Sequence, residues 1–138
     1  MDQNARWNGV AGIFNNANFI AHLGMKLVEV NHGTCTVELT TDDRHLQQHG
    51  HVHAGVVATL ADHAAGGAAR SSVPEGYDVI TIEFKINFLR PAPAGKLIGK
   101  ARVLRTGKNV SVAETEVLSG ETLVAKLTST LAVIPERK

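Results

Sequence analysis

The sequence predicts an α+β fold, one long buried helix wrapped by a curved antiparallel sheet, on three observations. Residues 54–70 read AGVVATLADHAAGGAAR, small and apolar on nearly every turn. A helix without a wide polar face is buried all round. Residues 80–88 alternate strictly, with Ile80, Ile82, Phe84, Ile86 and Phe88 apolar and Thr81, Glu83, Lys85 and Asn87 polar between them. That period of two predicts a half-buried strand. The three strand-like segments that follow are joined by short glycine-containing turns, which predict antiparallel neighbours. One sheet must then cover the helix, and its exposed edge would favour pairing with a second copy of the chain.

The elements follow in order. Between Ala5 and His22, apolar residues recur at Trp7, Val10, Ile13, Phe14 and Ala17, with Asn8, Asn15, Asn16 and Asn18 between them. This is helical spacing, and Gly24 ends it. The helix either lies across the mouth of a site or simply packs. Residues 25–30 and 34–40 alternate apolar and polar, and Asn31-His32-Gly33 between them supplies the turn chemistry of a hairpin. A polar, histidine-rich stretch spans residues 41–53. Within the buried helix, Gly66 and Gly67 each cost roughly 1 kcal/mol of helix propensity, so close packing must hold them there. Pro91 and Pro93 stop the alternating strand. Strands over 97–105, 110–118 and 122–134 complete the series, with turns at 106–109 and 119–121.

Bulk properties bound the rest. A chain of 138 residues suits one domain, residues 1–138, and is long enough to bury a core without a metal or disulfide staple. Its net charge of +1, with no block of like charges, speaks against a nucleic-acid surface. The lone Cys35 excludes an intrachain disulfide. No secretory leader and no membrane-length apolar run is evident, so no membrane partner and a cytoplasmic location are expected.

One acid, Asp62, stands inside the apolar helix. An ionised carboxylate there is costly unless it is paired or faces a cleft. It is either a structural hydrogen-bonding group or inter-subunit contact, or a general base or nucleophile exposed only to substrate. His53-Ala54-Gly55 marks the helix start, where free N–H groups and the helix dipole could polarise a carbonyl oxygen. Helical rise separates those groups from Asp62 by about 10–12 Å, too far to share one reacting centre. A two-fold dimer could close that gap by pairing Asp62 of one subunit with the helix start of the other.

The segment His53-Ala54-Gly55-Val56-Val57-Ala58-Thr59-Leu60-Ala61-Asp62 resembles the His-Gly-Gly…Leu-Ala-Asp signature of the PaaI-like, phenylacetate-degradation type of hotdog-fold acyl-CoA thioesterases. The likeness includes Gln47-Gln48-His49-Gly50, the strand ending in Phe88-Leu89-Arg90-Pro91-Ala92, and the Gly107-Lys108 turn. It implies a hotdog fold assembled as a homodimer or homotetramer, with the site at a subunit interface, hydrolysing aryl- or medium-chain acyl-CoA to the free acid and CoA. On that likeness Asp62 is the acid that activates water or attacks the thioester. Ala54 and Gly55 mark the oxyanion N–H donors, Gln47 stands at the amide position with Gln48 as its substitute, and Thr81 falls near a residue that orients the water. His53 structures the turn before the helix and, with Gln48, is a candidate substrate-binding residue. Ala54 departs from the family's first glycine, which costs strain if the turn needs φ > 0. Simple alternation also puts Thr81 opposite the core face.

Arg90 and Lys108 lie where CoA phosphates could rest, although solvated charge is the ordinary fate of such residues. His45, His49, His51, His53 and His63 raise the question of zinc, but no Cys pair, HExxH motif or conventional ligand spacing accompanies them. Neither a metal nor a diffusing cofactor is expected. The alternatives are an acyl-thioester hydratase or dehydratase of the same fold, and a non-catalytic acyl-CoA binding protein.

Overall fold

The computed structural model describes residues 2–137. Helices α1 (Gln3–Asn16) and α2 (Asn18–Leu23) precede a hairpin of β1 (Lys26–Asn31) and β2 (Thr34–Thr40). The long helix α3 (Ala54–Ser72) follows, and then β3 (Tyr77–Phe88), β4 (Lys96–Thr106), β5 (Val110–Ser119) and β6 (Thr122–Pro135). The strands form one antiparallel sheet in the order β1-β2-β4-β5-β6-β3. Helix α3 touches all six of them. With neighbours about 4.8 Å apart, a flat six-stranded sheet is about 24 Å across, more than twice the width of a helix. Contact with every strand therefore requires the sheet to curl around α3.

Small residues allow that wrap. Leu60, Ala61, Ala64, Ala65, Ala68 and Ala69 are fully buried along α3. A Cβ added at Gly67 would stand 2.6 Å from Cys35 Sγ on β2, so the glycine is what permits the contact. Gly99 on β4 likewise brings that strand against Leu60 and Ala64. Thr115 on β5 donates from Oγ1 to the Ala61 carbonyl at 2.8 Å and pins the helix one residue before Asp62. At the far end, Arg70 is buried and pairs with Asp78 and Glu136 at 3.6 Å each.

Two local expectations differ from the structure. The N-terminal helix is broken at Ala17, which adopts an extended conformation, so it is two helices. Gly24 does end the second, in the left-handed region at φ 81°. The larger difference lies in β3. Its apolar series does not share one buried face, because the pairing with β6 slips between Thr81 and Glu83. Val79 before the slip and Ile86 after it both pack on the core, although one number is odd and the other even. The inserted residue reverses the alternation, as a β-bulge does. Ile80 and Ile82 are left 58% exposed on this edge strand.

Candidate active site

The N-terminal end of α3 is built by the loop before it. His53 is the helix N-cap, and its Nδ1 accepts the Gly55 N–H at 2.8 Å. Its carbonyl accepts from the Val56 and Val57 N–H groups. No hydrogen bond within the described residues engages the Ala54 N–H, so this donor points out of the helix start without a partner. No non-glycine residue among those described has positive φ, and Ala54 therefore occupies the turn without strain. The glycine that matters is Gly55, where a Cβ would stand 3.1 Å from the His53 ring.

The preceding loop is tied in the same economical way. Gln47 Oε1 accepts from the His49 and His51 N–H groups, while the Gln47 N–H donates to the His51 carbonyl at 2.8 Å. With its oxygen so used, the Gln47 amide presents Nε2 as its free donor. The loop is held to the body by Val52 N–H on the Ala92 carbonyl and His53 N–H on the His45 carbonyl. His45 is fully buried, with Nδ1 accepting the Asp42 N–H and Nε2 against the Leu23 carbonyl. Its two nitrogens serve structure. No group of three or more His, Cys, Asp or Glu residues that could hold a metal occurs among the described residues.

A pocket of about 490 Å³ opens at this end of the helix, lined by Gln47, Gln48, His53, Ala54, Phe88 and Arg90 among others. Arg90 is fixed there by a 2.8 Å bond from Nη1 to the Leu123 carbonyl.

Asp62 lies in a different pocket of about 200 Å³, with Ile13, His63, Gly66, Gly67, Val79 and Thr81. Thr81 Oγ1 donates to Asp62 Oδ1 at 2.9 Å. The β3 bulge makes this bond possible, since without it Thr81 would face away from the helix. Burial raises the Asp62 pKa above the usual carboxylate range, and the Thr81 hydrogen bond offsets part of that rise. The arrangement holds one oxygen of a poorly solvated carboxylate and leaves the other without a protein partner among the described residues. Such a group is a strong proton acceptor once ionised. Beside it, the His63 ring meets Phe14 edge-on, with centroids 4.2 Å apart and planes at 74°.

The chain thus carries two separate clusters of candidate residues. Gln47, Gln48, His53, Ala54 and Arg90 gather at the first, with Gly55 adjacent; Asp62 and Thr81 gather at the second. Lys108 joins neither. It is exposed in the β4–β5 turn, near the C-terminal end of α3, to which Thr106 Oγ1 bonds through Ser72 Oγ at 3.0 Å. Thr115, which fixes the helix at Ala61, escaped notice in the sequence because one threonine in an alternating strand carries no signal of its own.

The sequence profile of the Thioesterase superfamily matches residues 49–126, more than half of the chain. The 1,4-dihydroxy-2-naphthoyl-CoA hydrolase of Listeria monocytogenes is 33% identical over 84% of this chain and 95% of its own length. The crystal structure of a thioesterase family protein from Silicibacter pomeroyi has a TM-score of 0.92 at 32% identity, covering 95% of this chain and 99% of that one. The structure of the Escherichia coli PaaI protein from the phenylacetic acid degradation operon has a TM-score of 0.88 at 26% identity, covering 96% of this chain and 95% of that one.

Proposed function

The chain belongs to the Thioesterase superfamily and is a thioester hydrolase of the hotdog fold, and from that premise we propose that Asp62 is its catalytic carboxylate, acting on acyl-CoA across a subunit interface. The observation that carries this reading is the Asp62–Thr81 pair, an acid of raised pKa on the buried helix with one oxygen held and one open to a pocket. The Listeria relative is a hydrolase of 1,4-dihydroxy-2-naphthoyl-CoA, which supports a CoA thioester as the substrate class, the acyl group being set by this chain's own pocket.

In this reading the unpartnered Ala54 N–H and Gln47 Nε2 bind the thioester oxygen, and Gly55 gives the His53 ring the room to order that turn. Asp62, in its ionised form, takes a proton from water as the water oxygen bonds to the carbonyl carbon. The resulting oxyanion is stabilised at the helix start, where the N–H groups and the dipole already point. Collapse breaks the C–S bond, and the proton passes to the leaving sulfur, giving free acid and thiol. Direct attack by Asp62 through an anhydride gives the same products; oxygen-18 from water in a single turnover distinguishes the two routes. Arg90 and Gln48 at the mouth of the larger pocket suit the polar part of CoA, and Lys108 would meet its phosphates only from a neighbouring subunit.

Within one subunit the oxyanion donors and Asp62 are about 12 Å apart along the helix, from eight residues at 1.5 Å each. The working unit is therefore a two-fold dimer formed along β3, able to pair again into a tetramer, with residues 1–138 acting as one domain in a cytoplasmic setting. Asp62→Asn should fold, and its turnover of acyl-CoA esters should fall by about 10²–10⁴-fold, the usual contribution of a general base. Wild-type turnover by the folded variant sinks the mechanism.

A further inference from the structure

The pocket beside Asp62 divides by chemistry into a polar and an apolar part. The reacting carbonyl must lie at the carboxylate, and the bulky polar CoA must leave on the open side. What remains for the acyl group is the apolar space lined by Ile13, Gly66, Gly67, Val79 and Leu131. Gly66 enlarges it, since a Cβ built there meets nothing within 4 Å. The space is about 200 Å³, and a cavity of about 150 Å³ in another protein suffices for benzene.

A second hollow of about 580 Å³ lies against α1 and α2, lined by Trp7, Ala11, Phe14, Met25, Lys26 and Leu27. His63 lines the first space and Phe14 the second, and their rings are in direct contact. One aromatic pair thus stands where the two spaces meet. We propose that Phe14 and His63 together determine acyl specificity, closing the acyl pocket so that it admits a single aromatic ring or a short chain and refuses longer or fused-ring groups. This rests on the reading of Asp62 as the catalytic carboxylate.

The partition is suited to the task. Phe14 is a buried core residue of α1, so its ring is fixed by packing. The His63 Nε2 is buried without a partner among the described residues, and burial lowers the pKa of the ring to about 4. At neutral pH the imidazole is an uncharged plate that adds no charge to an apolar wall. Helix α1, which the sequence left as either a cover or a packing element, is in this account both.

The test measures thiol release from butanoyl-, benzoyl-, 2-naphthoyl- and decanoyl-CoA by the full-length wild type, Phe14→Ala and Phe14→Leu. Wild type should favour butanoyl- or benzoyl-CoA by at least tenfold in kcat/KM. Phe14→Ala should narrow or reverse that ratio by raising turnover of the naphthoyl and decanoyl esters, with Phe14→Leu intermediate. The leucine variant keeps the question open to an answer if the alanine variant does not fold. An unchanged length profile in a folded Phe14 variant, or a wild type that already takes decanoyl- and butanoyl-CoA equally, overturns the partition while leaving the Asp62 reading intact. No release from any ester by wild type overturns both.

Discussion

At the scale of single residues, the proposed mechanism rests on two opposed influences on Asp62. Burial disfavours its charge and the Thr81 hydroxyl restores part of it. Replacing Thr81 by Val keeps the shape and removes the bond. The carboxylate then loses stabilisation of its charged form, its pKa rises, and the base is lost at a higher pH. The acid limb of the kcat/KM profile should move to higher pH in Thr81→Val, and an unmoved limb would show that Thr81 acts elsewhere. The same desolvation makes the ionised Asp62 a liability to folding. The sign follows from linkage: a carboxyl whose pKa is raised on folding destabilises the folded state once pH exceeds the unfolded value. Asp62→Asn should therefore melt no lower than wild type at neutral pH even as it loses activity.

At the scale of elements, α3 owes its close fit to two adjacent glycines with different reasons for being there. Gly67 lies against Cys35 Sγ and Val10 Cγ1, so a methyl group overfills the contact. Gly66 faces open space. Gly67→Ala should cost about 1–3 kcal/mol by overpacking despite its better helix propensity. Gly66→Ala should gain about 0.5–1 kcal/mol from reduced chain entropy and better propensity. Chemical denaturation of the two variants reads both, and the prediction is that their midpoints move in opposite directions. Cys35 itself is buried and its thiol is pushed up to about 12, which keeps it unreactive in the wall it shares with Gly67.

At the scale of the whole molecule, β3 is a twelve-residue edge strand with Ile80, Ile82, Phe84 and Phe88 exposed. Proteins seldom leave so long an apolar edge uncovered. Pairing with a second β3 would bury it and bring Asp62 towards the helix start of the partner subunit. Ile82→Lys places a charge on that edge without touching Asp62 or the core. It should shift the protein to the monomer on size exclusion and remove activity in parallel. Full activity from a monomer would show that one subunit assembles the site alone.

The sequence by itself determined the α+β class, the long helix, the strand boundaries to within one residue apart from the start of β3, which lies three residues earlier at Tyr77, and the single acid within the helix. Each is a local or periodic property, since composition sets burial, alternation sets strands and glycine sets turns. It also marked the helix start, where the Ala54 N–H is left without a partner among the described residues, as the candidate oxyanion site. Tertiary structure alone decided the rest. Thr81 reaches Asp62 because β3 slips by one residue against β6, and a strand's own alternation contains no record of its partner's register. The Gly55 N–H is taken by His53 while that of Ala54 stays free, a choice made by ring placement in a turn. Phe14 meets His63 only because α1 folds back over α3, and contacts between residues 49 positions apart depend on the path of the whole chain.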